Sequence, residues 1–306
     1  HELPAGEQCS RLQRIFMLIL FSEIIIKKNM KHYPVILSIA GSDCSGGAGI
    51  QADIKTISAL GGYAASVITA VTVQNTMGVH AVHAVPIEII RGQIEAVMED
   101  LHPEVVKIGM VGDAETVRAI AGCLQKYHPK YIVYDPVMVS TSGRKLMNDD
   151  AIEIVKRELF PLVSLITPNL DEVEVLTGKT ITAPEEMQRT AQELSTLYQT
   201  AVLIKGGHLQ GEKMQDILCV DGNIFIYKGR KIKSHNLHGT GCTLSSSIAT
   251  YLALGYIMDK AVGKAKTYIG GAISAGKEVV AGHGNGALCH FWNPVKAQII
   301  DDKVDR

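Results

Sequence analysis

The fold is decided by residues 35–71, which read VILSIAGSDCSGGAGIQADIKTISALGGYAASVITAV. The stretch begins with an apolar run at Val35 to Ala40, passes through a glycine-rich segment and continues into a helical pattern at Ala48 to Leu60. A second apolar run follows at Ala64 to Val71. Short apolar runs of this kind are typical of strands buried on both faces, so the stretch predicts a βαβ unit.

The same alternation continues along the chain. Further predicted strands are Val105 to Ile108, Tyr131 to Tyr134, Ser164 to Ile166 and Ala201 to Ile204. Further predicted helices are Pro86 to Asp100, Ala114 to Tyr127, Asp149 to Leu159, Leu170 to Leu176, Pro184 to Tyr198, 241 to 254 and 258 to 279. The sequence also predicts an antiparallel hairpin at a sheet edge, formed by Asp216 to Val220 and Asn223 to Tyr227 and joined through Asp221-Gly222. We therefore predict an α/β fold with a mainly parallel sheet that helices cover on both faces.

Composition limits the classes of function. The chain has 306 residues, 46% of them apolar, and a formal net charge of -1, so no overall field favours nucleic acid or an anionic membrane. Its six cysteines include no close pair of the kind found in zinc knuckles or redox motifs, which fits a reduced, cytoplasmic setting. Without a linker or an internal repeat, the simplest division is one domain at residues 31–293 and a C-terminal tail at 294–306.

Residues 1–30 differ from the rest of the chain. An apolar run at Ile15 to Phe21 resembles a short signal sequence, but Glu23 follows it and no small-residue cleavage site is present. The run is also too short to span a bilayer. We interpret residues 1–30 as a non-native or disordered leader with Met30 as the natural start, and a targeting segment is the alternative.

Residues 236–243 read NLHGTGCT and lead directly into a helical pattern. Gly239 and Gly241 allow the backbone to approach an anion closely, and the unpaired amides and the dipole of a helix start attract negative charge. The same field is expected to lower the pKa of Cys242. The octet predicts an anion site beside an activated thiol. The alternative is an ordinary helix entry with a packed cysteine.

Polar or glycine-rich residues repeatedly follow the predicted strands. In an open parallel sheet, ligands bind beyond the carboxyl ends of the strands, so these segments are expected to share one crevice. They are Gly41-Ser42-Asp43, Gly109-Met110, Asp135-Pro136, Pro168-Asn169, Lys205-Gly206-Gly207 and Gly239-Thr240-Gly241.

Three polar side chains in or just after these segments are candidates for a metal site. Asp135 ends a strand, and Asn169 and Glu172 lie one helical turn apart. Their hard oxygen atoms suit a magnesium ion that keeps several waters and binds chiefly through phosphate oxygens. In the alternative interpretation, Asn169 caps a helix and Glu172 completes its capping box without any metal.

Lys205 follows a predicted strand and precedes two glycines, so its ammonium group could contact phosphate. A lysine at a strand end is also often simply solvated. His208 and His238 could each contact an anion, but neither has a second ligand at metal spacing, and we assign neither to a metal.

The glycine cluster after the first strand matches neither a Walker loop nor a GxGxxG fingerprint. Gly46, Gly47 and Ala48 would instead let a flat small molecule lie close to the backbone. Gln74 carries both donors and an acceptor, so its amide can pair with the edge of an amino-heterocycle. A loop glutamine that faces water is the alternative.

Seven segments carry a resemblance to a known family. They are AGSDCSGGAGIQADIK (40–55), AVTVQNT (70–76), KIGM (107–110), DPVM (135–138), ITPNLDE (166–172), KGGH (205–208) and HGTGCT (238–243). Together they resemble the hydroxymethylpyrimidine/phosphomethylpyrimidine kinases of thiamine biosynthesis, in the ribokinase-like superfamily. The resemblance covers about residues 34–291 and implies a three-layer α/β/α sandwich. It does not cover the leader.

The resemblance implies ATP- and magnesium-dependent phosphorylation of 4-amino-5-hydroxymethyl-2-methylpyrimidine and then of its monophosphate. The implied substrate-binding residues are Gln74, which pairs with the aminopyrimidine, and Ala48, Gly41, Met110 and Val137. The implied anion hole consists of Gly239, Thr240 and Gly241, with Cys242 as the base. Asp135, Asn169 and Glu172 would form the magnesium and phosphate region, and Lys205 would contact phosphate. Asp53 would bond the substrate amine or hydroxyl, or serve as a structural helix residue.

Two other functions remain open at this stage. Certain bacterial pyridoxal kinases resemble the same cysteine-containing scaffold and also phosphorylate a hydroxymethyl group on a flat ring. A non-catalytic pyrimidine-binding protein is the second alternative, although binding alone needs no phosphate apparatus. The resemblance further implies a homodimer. The balanced charge predicts no nucleic-acid or membrane partner.

Overall fold

The computed structural model describes residues 31–138, 147–207 and 213–301. The predicted leader at residues 1–30 lies outside these ranges, as do His208 and residues 302–306 of the predicted tail. The described residues divide into two compact units, one within residues 35–297 and a smaller one formed by residues 31–34 and 298–301. The predicted domain limits stay a prediction.

The described residues form eleven strands. In chain order they are β1 (Lys31–His32), β2 (Val35–Ser42), β3 (Tyr63–Asn75), β4 (Gly78–Ala84), β5 (Val105–Ile108), β6 (Tyr131–Tyr134), β7 (Leu165–Ile166), β8 (Ala201–Ile204), β9 (Lys213–Val220), β10 (Asn223–Arg230) and β11 (Ile300–Asp301). Strands β1 and β11 pair with each other in the smaller unit, and the other nine form one sheet in the order β10-β9-β8-β7-β6-β5-β2-β3-β4.

Eight α-helices are described. They are α1 (Gly49–Ala59), α2 (Ile87–Asp100), α3 (Ala114–Tyr127), α4 (Asp149–Ile154), α5 (Leu170–Thr177), α6 (Pro184–Tyr198), α7 (Thr240–Ala253) and α8 (Met258–Gly276). A π-helical turn, Val155–Leu159, continues α4. None of the helices in the described residues is long and apolar enough to cross a membrane.

The central strands explain why the sheet is mainly parallel. Strands β5 and β8 are buried at every position, so they need helices on both faces. One core cluster, which includes Ile90, Val117 and Val173, packs helices α2 to α6 on one face, and the other, with Ile57, Ile248 and Val262, packs α1, α7 and α8 on the opposite face. The predicted three-layer sandwich is confirmed, and so is the antiparallel hairpin, formed by β9 and β10.

The sequence does not predict strand β4. Strand β4 pairs antiparallel with the second half of β3, which runs on to Asn75 rather than ending at Val71. Its sequence, GVHAVHA, lies at the sheet edge with no fully buried residue. Because neither face of β4 is buried, it lacks the apolar run by which the other strands are recognised.

Candidate active site

The segments that follow β6, β7 and β8 bring a lysine and two carboxylates together. Lys205 Nζ lies 2.7 Å from Asp135 Oδ1 and 3.9 Å from Glu172 Oε2. The hydroxyl of Thr167 donates to the same Asp135 oxygen at 2.9 Å. Burial opposes a charge on Lys205, but Asp135 and Glu172 raise its pKa, so the ammonium stays charged at neutral pH. Burial raises the pKa of Glu172, against the effect of Lys205.

Asn169 and Glu172 begin helix α5 with a capping box. The Asn169 side chain accepts a hydrogen bond from the Glu172 N–H at 2.9 Å, and the Asn169 N–H donates to Glu172 Oε2 at 2.7 Å. The capping interpretation is therefore present in the structure. The cap also holds Glu172 beside Lys205, so the two interpretations of Glu172 are compatible. A phosphate contact by Asn169 stays a prediction.

Helix α7 begins where two loops meet. Its N-cap, Gly239, has a φ of 86°, and a Cβ at this position would lie 1.9 Å from the carbonyl oxygen of Gly47. Only glycine satisfies both the left-handed conformation and this contact. Thr240 closes the preceding turn, because its N–H and its hydroxyl both donate to the Leu237 carbonyl.

The first turn of α7 faces the charged cluster. A Cβ on Gly241 would lie 2.9 Å from Asp135 Oδ2 and 3.6 Å from Lys205 Nζ. The amides of a first helical turn have no intrahelical acceptor. The predicted anion hole and the predicted phosphate lysine therefore lie side by side.

Cys242 lies half-buried in this turn, but its electrostatics differ from the prediction. Burial raises the pKa of the thiol to about 11, although the charge of Lys107 and a hydrogen bond from the Gly49 backbone oppose the increase. The negative charges of Asp53 and Asp135 raise it further. The expected lowering of the pKa by the helix start is wrong, because desolvation and nearby carboxylates outweigh it. Cys242 is a neutral thiol at pH 7.

The loop after β2 is organised by Asp43, whose side chain is 4% exposed. Its carboxylate accepts hydrogen bonds from Ser45, from the N–H groups of Gly47 and Ala48, and from His238 Nε2 at 2.8 Å. Although burial opposes it, the hydrogen bonds of His238 and Ser45 lower the pKa of Asp43 to about 2. The buried carboxylate of Asp43 thus fixes the conformation of the loop after β2, which is the loop predicted to contact a flat ring.

The other predicted ring contacts border this loop. A Cβ on Gly41 would lie 2.4 Å from Met110 Cε, so the two residues are in contact. Ala48 is half-buried at the N-cap of α1, and Val137 is half-buried two residues beyond Asp135. Ala48, Met110 and Val137 lie beyond the carboxyl ends of strands, as predicted, whereas Gly41 lies within the last two residues of β2. The contact of these residues with a ring stays a prediction.

Gln74 lies near the end of β3 and is half-buried. Its side-chain amide lies 3.2 Å from His238 Nε2 and 3.2 Å from the hydroxyl of Thr72. The residue is therefore not a loop glutamine that simply faces water. His238 immediately precedes Gly239, so the candidate recognition residue lies next to the start of α7.

Asp53 is the one predicted substrate contact that the geometry does not support. It is 0% exposed, and its carboxylate accepts hydrogen bonds from Lys107 at 2.8 and 3.0 Å, from Ser246 at 2.6 Å and from Ser38. These buried partners occupy the carboxylate within the core between α1, α7 and the sheet. The alternative role, a structural helix residue, fits these contacts.

Sequence reasoning gave no role of their own to two residues at or beneath the site, Asp43 and Lys107, and gave His238 only a possible contact with an anion. Lys107 is 0% exposed and pairs with Asp53. A charged residue within an otherwise apolar strand, VVKI, is the signal that could have drawn attention to it. Asp43 and His238 stand in quoted motifs, but their contact joins segments far apart in the chain, which no local pattern reveals.

We expect Asp43→Asn to lower the free energy of unfolding by about 2 kcal/mol at neutral pH, because an amide cannot accept all the hydrogen bonds that the carboxylate accepts. The pKa of Asp43 falls from 3.8 to about 2 on folding. The stabilisation by Asp43 is therefore fully present at pH values above its pKa in the unfolded chain. It is lost as the pH falls through its pKa in the folded protein. Urea unfolding at several pH values measures it.

The matched control for this prediction is Asp113→Asn, which alters a carboxylate that caps α3 through one backbone N–H, that of Thr116. This variant should cost about 1 kcal/mol or less. A stability loss in Asp43→Asn that stays constant between about pH 7 and pH 2 would contradict the assignment of its effect to the carboxylate.

Comparisons with known proteins agree with this geometry. A profile of the phosphomethylpyrimidine kinase family matches residues 43–288. The chain is 48% identical over 258 residues to the hydroxymethylpyrimidine/phosphomethylpyrimidine kinase of Rhizobium meliloti. The aligned region covers 84% of this chain and 97% of the Rhizobium meliloti protein. Several other curated relatives are longer thiamine-biosynthesis proteins, of whose length the chain covers between 34% and 51%.

Two solved structures are similar as well. A phosphomethylpyrimidine kinase from Clostridium difficile is 49% identical, with a TM-score of 0.70, over 78% of this chain and 99% of that one. A Bacillus subtilis pyridoxal kinase in complex with ADP is 30% identical, with a TM-score of 0.78, over 85% of this chain and 98% of that one. The profile match runs from Asp43, through the Lys205 cluster, to beyond the start of α7, and on this evidence the chain belongs to the phosphomethylpyrimidine kinase family.

Proposed function

We propose that this chain catalyses ATP-dependent phosphorylation of 4-amino-5-hydroxymethyl-2-methylpyrimidine and then of its monophosphate, which yields the pyrophosphate used in thiamine biosynthesis. The observation that carries the proposal is the approach of Gly241 to the Asp135–Lys205 pair, with Gln74 adjacent to the start of the same helix through His238. An anion site and a candidate for heterocycle recognition thus border one another. Family membership supports a kinase reaction.

Phosphoryl transfer requires mainly in-line positioning and neutralisation of charge. The first turn of α7 offers the positive end of the helix dipole and backbone N–H groups other than that of Thr240, which donates to the Leu237 carbonyl. Lys205 adds a full positive charge beside them. We assign the transferring phosphoryl group to Gly239, Thr240 and Gly241, and a phosphate contact to Lys205.

Asp135 and Glu172 are the residues that would hold magnesium, largely through water and phosphate oxygens. They are buried carboxylates beside Lys205. Among the described residues, no three His, Cys, Asp or Glu side chains form a metal cluster. This donor set fits magnesium, which commonly takes one or two carboxylates and completes its shell with water and phosphate. When bound, the ion would neutralise charge on the phosphate oxygens.

Cys242 occupies the position of the base. Acting as a base requires the thiolate, which is a minor form at neutral pH when the pKa is about 11. A loose transition state makes modest demands on the base, because the hydroxyl loses its proton late in the transfer. Cys242 therefore receives the hydroxymethyl proton in this proposal, at a rate limited by the thiolate fraction.

The rival function, pyridoxal phosphorylation, is favoured by the similarity to solved pyridoxal kinases such as the Bacillus subtilis enzyme. An ADP-release assay with ATP and magnesium, run in parallel on the hydroxymethylpyrimidine, its monophosphate and pyridoxal, separates the two. We expect turnover of both pyrimidines. Turnover of pyridoxal alone would refute the substrate assignment, and turnover of the first pyrimidine alone would limit the enzyme to one step.

We expect Gln74→Ala to raise KM for the hydroxymethylpyrimidine with little change in kcat, because the polar edge of the ring loses its partner. The expected cost is about 1 to 3 kcal/mol. Gln93→Ala is the matched control, since the Gln93 side chain bonds the backbone of Ile68, nearer the start of β3. An unchanged KM in Gln74→Ala would place this residue outside the pocket.

The homodimer and the cytoplasmic location stay proposals. The family resemblance motivates the first and the cysteine usage the second. Light scattering coupled to size-exclusion chromatography measures the oligomeric state directly, and a mass equal to one chain would overturn the dimer.

A further inference from the structure

His238 connects two parts of the site that the kinase reaction uses separately. It directly precedes Gly239 at the start of α7, and its side chain is 12% exposed. One ring atom, Nε2, lies 2.8 Å from Asp43 Oδ2 and 3.2 Å from the amide of Gln74. A single nitrogen therefore faces both a carboxylate and the candidate recognition residue.

The contact with Asp43 fixes the proton on that nitrogen. An ionised carboxylate only accepts hydrogen bonds, so His238 Nε2 must carry a hydrogen directed at Asp43. A protonated ring nitrogen has no lone pair left to accept from an amide NH₂. The Gln74 carbonyl can share the Nε2–H with Asp43, whereas its NH₂ group would find no acceptor there, so we assign the Gln74 atom nearest His238 as the carbonyl oxygen. The structure places Gln74 Nε2 nearest His238 and Oε1 nearest Thr72. Because the oxygen and nitrogen of an amide have the same shape, exchanging them moves no other atom, and the available hydrogens assign them the other way round.

The opposite end of the same amide gives an independent answer. The Thr72 hydroxyl lies 2.8 Å from the Ser42 carbonyl oxygen and 3.2 Å from the far atom of the Gln74 amide. Its single hydrogen is needed for the carbonyl, which can only accept. The Gln74 atom beside Thr72 must therefore donate, and it is the NH₂ group. Both contacts give the amide the same orientation.

We propose that His238, held by Asp43, is a positioning residue that fixes the Gln74 amide with its carbonyl toward α7 and its NH₂ toward Thr72, and so sets the direction in which the aminopyrimidine binds. This inference rests on the proposed function. The ring's amino group donates to the Gln74 carbonyl, and the adjacent ring nitrogen accepts from the NH₂.

The orientation has a consequence for the reacting group. In this substrate the hydroxymethyl group is attached to the carbon next to the amino-bearing carbon, on the side away from the ring nitrogen. With the amino group on the His238 side, the hydroxymethyl group points toward Gly239 and the first turn of α7. The reversed amide would direct the hydroxyl away from the phosphate site, so the hydrogen bond between Asp43 and His238 contributes to productive alignment.

The test compares two substrates, the hydroxymethylpyrimidine and the analogue that lacks only its amino group. We expect wild-type kcat/KM to favour the amino compound by about 10- to 100-fold, because the analogue leaves the Gln74 carbonyl unpaired. In His238→Phe this preference should fall below about threefold, mainly through KM, because the amide can then turn over. His238→Gln keeps an N–H donor for Asp43 and should restore most of the preference.

A merely structural role for His238 would lower both activities together and leave the preference unchanged, which would overturn the positioning role. A crystal structure of wild-type protein with the pyrimidine tests the same point without any variant and decides the matter if His238→Phe does not fold. The amino group is expected on the His238 side, and the reversed ring would overturn the inference. Wild-type protein that phosphorylates neither pyrimidine would instead refute the proposed function.

Discussion

Replacing Cys242 with alanine is expected to lower kcat by about two to four orders of magnitude, which is the usual contribution of a positioned acid or base. KM for ATP should change by less than about threefold, because the thiol contacts the alcohol rather than the nucleotide in this proposal. Steady-state kinetics at saturating and limiting ATP separate the two effects. Cys289→Ala removes another half-buried cysteine and serves as the control.

The pH profile sharpens this prediction. A base works when deprotonated, and burial raises the pKa of Cys242 to about 11. Wild-type kcat should therefore rise with pH through the neutral and mildly alkaline range, by up to about tenfold per pH unit, and this rise should be absent in Cys242→Ala. Equal kcat in the variant and the wild type would remove Cys242 from the mechanism. A flat wild-type profile would exclude the thiolate as the base.

Replacing Lys205 with methionine is expected to lower kcat by about two to three orders of magnitude. Methionine has a similar length but no charge, so it leaves Asp135 and Glu172 without their cation and the phosphate without a partner. Phosphate oxygens would then approach two buried carboxylates. We expect KM for ATP to rise as well, since the ground state loses part of the same interaction.

Lys179→Met is the matched control, because Lys179 forms an ion pair with Glu193 in which both side chains are more than half exposed. Such surface pairs contribute little, so the control should change kcat less than about twofold. Lys205→Arg keeps the charge and should recover part of the activity. Full activity in Lys205→Met would show that Lys205 acts as a structural counter-ion rather than as a phosphate ligand.

The sequence predicts most of the fold because buried parallel strands leave a strong local signal. Runs such as Val105–Ile108 and Ala201–Ile204 coincide with the strands observed. The edge strand Gly78–Ala84 leaves no such signal, since none of its residues is fully buried. The local pattern of apolar residues therefore predicts the buried strands and the helices that cover them. It does not predict the edge strand, whose formation depends on pairing with the neighbouring strand.

The site is predicted less evenly. Gly239 and Gly241 were recognised because a turn before a helix has a local signature. The sequence does not predict the raised pKa of Cys242, because this pKa depends on burial and on charges contributed by other elements, among them Lys107 and Asp53. The pairing of Asp43 with His238 was missed for the same reason. Long-range electrostatics become visible only when the chain is folded.

The contact between Gly47 and Gly239 also bears on how the protein is made. These residues are separated by about 190 positions, and only glycine fits at position 239, where they touch. During translation the first loop leaves the ribosome long before its counterpart is synthesised. A nascent chain cannot close the phosphate site until nearly all of it has emerged, so nucleotide turnover is expected to begin only with the finished enzyme.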